Sequence, residues 1–95
     1  MVEKLRVYQK ALEFGDEIIR SVTERKLGLA RPLADQIIRA ATSVAANIAE
    51  GNGRFSRPDR SRFFHIARGS LFECIPLLHF LRTAGLLEGK GHEKL

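Results

Sequence analysis

The stretch LADQIIRAATSVAANIAEG, residues 33–51, carries the strongest structural signal of this 95-residue chain. At about 100° per residue, six of its apolar side chains fall in one sector of a helix and five polar ones in another sector about 80° wide. The apolar sector holds Leu33, Ile37, Ala41, Val44, Ala45 and Ile48, and the polar sector holds Gln36, Arg39, Ser43, Asn47 and Glu50. With Pro32 in its first turn, this pattern predicts a helix over about residues 31–50. Its many small side chains allow a neighbouring helix to approach closely.

Two further helices are predicted, over about residues 4–25 and 57–84. Ser56 is the expected N-cap of the third helix, because the sequence S-R-P-D places a proline in the first turn and an acid three residues after the cap. The expected core stripes are Leu5, Tyr8, Leu12, Gly15, Ile18, Ile19 and Val22 in the first helix, and Phe64, Ala67, Leu71, Cys74, Leu78 and Leu81 in the third. The sequence therefore predicts an all-α protein, an antiparallel up-down helical bundle that forms a single domain over residues 1–95.

The third predicted helix is apolar on more than one side in its second half. Phe72, Ile75, Leu77 and Phe80 point away from the expected core stripe. Such a helix needs cover from more than one neighbour, and the tail EGKGHEKL is too short and polar to supply it. Three helices are therefore evident, a fourth is short or missing, and we expect the third helix to contact another chain. Pro76 is expected to kink it, because an interior proline removes a backbone hydrogen bond.

The composition indicates a small basic protein with a surplus of arginine. The chain has 16 Lys and Arg against 11 Asp and Glu, a formal charge of +5, and eleven of its basic residues are arginine. Arginine favours forked contacts with phosphate or carboxylate groups. The chain opens with no charged-then-apolar leader, and no apolar stretch approaches the roughly 20 residues of a membrane span. We therefore expect a soluble protein in the reducing cytoplasm, with no membrane partner.

No constellation in the sequence predicts catalysis, a cofactor or a metal ion. The Gly-Asn-Gly segment follows a helix rather than a strand and lacks the further glycines of a nucleotide loop, so Gly51 and Gly53 are interpreted as a helix stop. The histidines form no convincing metal-ligand set and no Ser-His-acid triad. Cys74, the single cysteine, lies in an apolar run and is interpreted as a buried structural thiol. We expect a non-enzymatic protein with no catalytic residue, no metal and no cofactor.

Five arginines lie between residues 54 and 68, where the sole acidic residue is Asp59. Four of them crowd the end of the bundle at which the second helix turns into the third. These candidate nucleic-acid-binding residues are Arg54, Arg57, Arg60 and Arg62. On a helical wheel Arg57, Arg60 and Arg68 fall within about 80° of one another, whereas Arg62 lies elsewhere. Contacts with the phosphates of a nucleic acid are one interpretation of this set.

An alternative interpretation makes these arginines rim residues that pair with the carboxylates of Glu50, Glu73 or Asp35. The antiparallel arrangement of the second and third helices suggests Arg39 with Glu73 and Arg68 with Asp35 as ion pairs. Phe55 leaves a similar choice, because it can stack on a base or be buried against the turn. The sequence leaves both choices open.

Three segments of the chain resemble a known family. They are KLRVYQKA at residues 4–11, LADQIIRAATSVAANIAEG at 33–51 and GRFSRPDRSRFFHIARGSLFEC at 53–74. Together they resemble the small bacterial four-helix-bundle proteins named for the 23S rRNA intervening sequence, which are distantly similar in shape to the accessory protein of diversity-generating retroelements. The resemblance covers most of the chain. It departs at Pro76 and near residues 88–95, where the chain stops at the point at which similar proteins begin a long fourth helix.

The resemblance implies a helical bundle that assembles as a homo-oligomeric ring, commonly a pentamer, with a role in binding RNA or DNA. It brings no catalytic residues. The structural or oligomer motif that it implies comprises Arg39, Asn47, Glu50, Gly51, Arg68, Gly69, Ser70 and Glu73.

Two functional hypotheses follow. In the first, a non-enzymatic oligomer binds structured RNA or another nucleic acid through repeated arginine patches. In the second, the chain is a protein-interaction or assembly module, such as an accessory protein of a reverse transcriptase, with no direct nucleic-acid role.

Overall fold

The computed structural model describes residues 5–23 and 27–86, apart from the side chain of Leu29. Its three α-helices are α1 (Arg6–Thr23), α2 (Arg31–Asn52) and α3 (Arg57–Thr83). A 3₁₀ turn, Gly28–Ala30, precedes α2, and the described part of the chain contains no strand. The all-α prediction is therefore confirmed. The predicted ends of the first helix, residues 4 and 24–25, and the place of an expected fourth helix, residues 88–95, lie outside the described residues.

α2 is the central helix, because it packs against both α1 and α3. It contacts α3 through Gly51 and Phe64 near the turn and through Ser43 and Ser70 further along, so the two helices are antiparallel. The apolar side chains that α2 buries are Ala34, Ile37, Ala40, Ala41, Val44, Ala45 and Ile48. Of the predicted apolar sector, only Leu33 is not fully buried, and it packs against the core.

The buried sides of α1 and α3 differ from the predicted stripes. In α1 Ala11 is buried, whereas Leu12 is 42% exposed. In α3 Leu77 is buried, contrary to the prediction, whereas Phe64 and Leu71 are 41% and 44% exposed. The reason is that α3 packs mainly on α2. The side of α3 that faces α2 includes Leu77, whereas Phe64 and Leu71 are only partly covered. The α3 residues that are buried as predicted are Ala67, Cys74, Leu78 and Leu81.

A short turn, residues 53–56, reverses the chain between α2 and α3. Gly53 ends α2, and its backbone N–H donates to the carbonyl oxygen of Ala49 at 3.2 Å. Ser56 caps α3 as predicted, because its hydroxyl oxygen accepts a hydrogen bond from the backbone N–H of Asp59 at 3.2 Å. Both ends of the turn are thus held by hydrogen bonds, which fixes where α3 begins.

α3 includes Pro76 and continues beyond it as one helix to Thr83. Proline has no backbone N–H, so the carbonyl of Phe72 loses its usual partner at this position. The expected kink at this residue stays a prediction.

Gly51 lies inside α2 at a close contact with α3. The prediction that it stops the helix is wrong, because α2 continues to Asn52. A Cβ atom at this position would lie 2.7 Å from Cε1 of Phe64 and 3.1 Å from Cβ of Phe63. Both distances are shorter than an ordinary van der Waals contact, so any larger residue must displace the α3 side chains. Gly51 therefore allows both phenylalanines to pack over α2.

Two glycine-to-alanine variants test this contact. We expect Gly51→Ala to lower the free energy of unfolding by about 1–2 kcal/mol, because overpacking outweighs the gain in helix propensity. Gly69→Ala is the matched control in α3, where a Cβ would meet no atom of the described residues within 4 Å. It should raise the free energy of unfolding of the isolated chain by about 0.5–1 kcal/mol. Urea unfolding followed by circular dichroism measures both, and a Gly51→Ala variant as stable as wild type would contradict the argument.

Candidate nucleic-acid interface

The first turns of α3 gather three arginines around a shallow cleft, which we call the arginine cleft. It is lined by Arg57, Arg60, Ser61, Phe64, His65 and Arg68. These residues recur at spacings of three and four, so one side of α3 carries most of them. No carboxylate lines the cleft, and none of its three guanidinium groups forms an ion pair with another described residue. The cleft therefore presents concentrated positive charge to solvent.

Arg54 and Arg62 lie apart from the arginine cleft and contact the ring of Phe63. The guanidinium carbon of Arg54 is 4.7 Å from the ring centroid, and that of Arg62 is 4.5 Å from it. Arg54 also donates a hydrogen bond of 2.5 Å to a carboxylate oxygen of Glu50, in an exposed ion pair that contributes little to stability. The four arginines predicted from the sequence are therefore divided, two in the cleft and two around Phe63.

A polar groove between α2 and α3 brings together several residues of the motif that the resemblance implies. It is lined by Gln36, Arg39, Ala40, Ser43, Ser70 and Glu73. The hydroxyl oxygens of Ser43 and Ser70 are 2.9 Å apart, and Asn47 Nδ2 donates to the hydroxyl and the carbonyl oxygens of Ser43, each at 2.9 Å. Arg39 and Glu73 line this groove without forming the ion pair that was predicted between them.

The predicted ion pair between Arg68 and Asp35 is also wrong, because of the register of α2 against α3. The contact between Ser43 and Ser70 aligns the two antiparallel helices. In that register Arg68 lies opposite a part of α2 about ten residues beyond Asp35, or about 15 Å along the helix. The Arg68 guanidinium instead lies 5.5 Å from the centroid of the Phe72 ring. Arg68 is thus free to join the two sequence-predicted arginines of the cleft.

Phe55 projects from the turn between α2 and α3 directly into solvent. Its relative exposure is 101%, so the interpretation that buries it against the turn is wrong. The backbone on either side is held, because the N–H of Arg54 donates to the carbonyl of Gly51 at 3.2 Å and Ser56 caps α3. The aromatic ring is therefore presented at the tip of a hydrogen-bonded turn.

Cys74 is buried in the core of the bundle and is 1% exposed. Burial, with a smaller contribution from the carboxylate of Glu73, raises the pKa of its thiol from 9.0 to about 11. The reactive thiolate is therefore scarce at neutral pH, and the structural interpretation of this cysteine is confirmed. Within residues 5–23 and 27–86, no group of three or more His, Cys, Asp or Glu side chains could hold a metal ion. No helix among these residues has the length and apolar character needed to cross a membrane.

Comparison with known proteins supports the resemblance seen in the sequence. The chain matches the family model described as 23S rRNA-intervening sequence protein over residues 3–95, nearly its whole length. No curated protein sequence matches it.

The raised pKa of Cys74 predicts a pH-dependent stability. The folded state keeps the thiol protonated up to about pH 11, whereas the unfolded state loses this proton near pH 9, so the stabilisation is complete below pH 9 and is lost as the pH rises to 11. We expect the free energy of unfolding of wild type to fall by about 2–3 kcal/mol more than that of Cys74→Ala between about pH 8.5 and 11. Urea unfolding at several pH values measures this, and parallel pH profiles of the two proteins would contradict it.

Proposed function

Because the chain belongs to the 23S rRNA-intervening sequence protein family, we propose that it binds structured RNA, or another nucleic acid, and catalyses no reaction. The observation that supports this most directly is the arginine cleft, in which Arg57, Arg60 and Arg68 have no carboxylate partner among the described residues. An unpaired guanidinium group loses no ion pair when it contacts a phosphate. Its planar fork also matches the geometry of phosphate oxygens.

The net charge favours the same partner. The chain carries a formal charge of +5, and a nucleic acid releases condensed counterions when its phosphates are neutralised by arginine. Arg54 and Arg62 would form a second contact beside the cleft, since both guanidinium groups lie over Phe63 near the surface. In this arrangement Arg57 and Arg60 are the principal phosphate contacts. Arg54 must break its ion pair with Glu50 before it can contact a phosphate.

Salt dependence tests the role of the arginines. If Arg54, Arg57, Arg60 and Arg62 each contact a phosphate, log affinity should fall with log salt with a slope of about −3, or roughly a hundredfold between 50 and 200 mM. Replacing Arg57 and Arg60 together with alanine should weaken binding at low salt and reduce the slope by about 1.5. Fluorescence anisotropy with a labelled RNA hairpin measures both quantities.

The control for this experiment is the double variant Arg20→Ala/Arg82→Ala. It removes the same charge from exposed residues in the last turns of α1 and α3, at the other end of the bundle. Binding should stay close to that of wild type. A flat salt response, or an equal loss in the control variant, would show that the arginine cleft does not bind the RNA.

A second candidate function is an assembly or protein-interaction module, and a specific surface favours it. Leu71, Phe72 and Ile75 form an apolar strip on α3 that is 44–60% exposed. The strip agrees with the expectation that α3 contacts another chain. The partner would be a further copy, in a homo-oligomer such as a pentameric ring, or a different protein such as a reverse transcriptase. Gly69 fits this candidate too, because no described residue fills the space beside it.

Light scattering tests the assembly candidate. The wild-type mass should be a multiple of 10.7 kDa, and Ile75→Lys should lower it, because a charge on the apolar strip cannot be buried in an interface without a partner. Thr83→Lys places the same charge at an exposed position of α3 and should leave the mass unchanged. A monomeric wild type, or an Ile75→Lys variant that keeps the wild-type mass, would count against assembly through this strip.

A further inference from the structure

We infer that Phe55 stacks on an unpaired nucleobase, so that the protein prefers RNA or DNA with unpaired nucleotides to a continuous duplex. This inference rests on the proposed nucleic-acid function and gives it a substrate class. It adds a residue outside the arginine cleft, at the tip of the turn that precedes α3.

The exposure of Phe55 distinguishes it from the other apolar side chains of the surface. It is 101% exposed, whereas Ile75, the next most exposed large apolar side chain among the described residues, is 60% exposed. The other exposed phenylalanines are partly buried, and Phe64, for example, packs against Gly51 of α2. Because its ring is not buried, Phe55 contributes none of the folding free energy that burial of an aromatic ring would supply. Both faces of its ring are therefore available to a planar ligand.

The surroundings of Phe55 favour a nucleotide as that ligand. Arg54 precedes it in the chain and Arg57 follows two residues later, so basic residues flank Phe55 in the sequence. A nucleotide offers a planar base and a phosphate a few ångströms apart, and proteins that bind single strands combine aromatic rings with positive charge in this way. An apolar pocket of a partner protein could bury Phe55, but it would offer no complementary charge to these arginines, whereas a nucleotide does.

A stacking ring requires a base that has left its own stack. In a continuous duplex the bases are stacked on one another, and an aromatic side chain at a turn tip reaches only the backbone. Loops, bulges and single-stranded ends expose the faces of their bases. The arginines can contact phosphates in both single-stranded and duplex nucleic acid. The preference for unpaired nucleotides should therefore depend on Phe55, whereas the salt dependence of binding should not.

The experiment compares a 12-nucleotide single-stranded RNA with a 12-base-pair RNA duplex, using the full chain. Phe55→Ala should weaken binding of the single strand by about 5- to 150-fold, leave the duplex affinity unchanged and keep the salt slope of wild type. Phe55→Tyr should bind the single strand nearly as well as wild type. Phe80→Ala, which removes an exposed phenylalanine near the other end of α3, is the control and should change neither affinity.

A tryptophan variant gives a direct readout of stacking. The chain contains no tryptophan, so Phe55→Trp introduces a single fluorophore at the turn. Its fluorescence should be quenched by the single strand and not by the duplex. Unchanged fluorescence with bound single strand would overturn the inference.

The outcomes separate this inference from the proposed function. Wild type that binds neither RNA at low salt overturns both. Single-strand binding that is lost in Arg57→Ala/Arg60→Ala but retained in Phe55→Ala overturns the stacking role alone. An equal loss of both RNAs in Phe55→Ala overturns the preference for unpaired nucleotides. A lower light-scattering mass in Phe55→Ala with unchanged RNA affinity places Phe55 in a protein contact instead.

Discussion

The close contact between α2 and α3 at Gly51 positions the groups on which the proposed function depends. Phe63 and Phe64 pack over this glycine, where a Cβ would lie 2.7 Å from the ring of Phe64. The two adjacent phenylalanines point to different sides of α3. The guanidinium groups of Arg54 and Arg62 lie over the ring of Phe63, and Phe64 lines the arginine cleft. The positions of both rings depend on the space that Gly51 leaves, because glycine has no side chain. This contact therefore helps to position the arginines that surround the two rings.

The helices could be predicted from the sequence more reliably than the sides that they bury. The buried side of α2 was predicted well because this helix packs against both α1 and α3. A residue in its apolar sector is therefore buried whether it faces α1 or α3. α3 has apolar residues on several sides, so periodicity alone cannot say which sector faces α2. This is why Leu77 is buried while Leu71 is not. Gly51 illustrates the same difficulty, because a glycine near a helix end is typical of a stop signal, and its packing role depends on a contact with residues more than ten positions away.

The candidate site could be predicted only in part, for related reasons. Helical geometry predicts correctly that Arg57, Arg60 and Arg68 share one side of α3, because their spacing is local. Arg39 and Glu73 line one groove, as the antiparallel arrangement suggests, but they form no ion pair with each other. The ion pair of Arg68 with Asp35 was predicted wrongly, because it depends on the register of the two helices. That register follows from packing and from the contact between Ser43 and Ser70, which no local pattern specifies. The exposure of Phe55 likewise depends on the direction of a turn, and turn direction is set by the helices on either side.

The two proposed functions are physically connected along α3. Arg68 lines the arginine cleft, and its guanidinium group lies 5.5 Å from Phe72 in the apolar strip. A neighbouring chain that covered this strip would therefore place its edge beside the cleft. Each isolated cleft offers few phosphate contacts, which limits its affinity at physiological salt. An assembly held by the strip would present several clefts at fixed separation, and a long RNA that reached two of them would gain the effective concentration of linked sites. Assembly through the apolar strip would thus strengthen nucleic-acid binding without any new contact in the cleft itself.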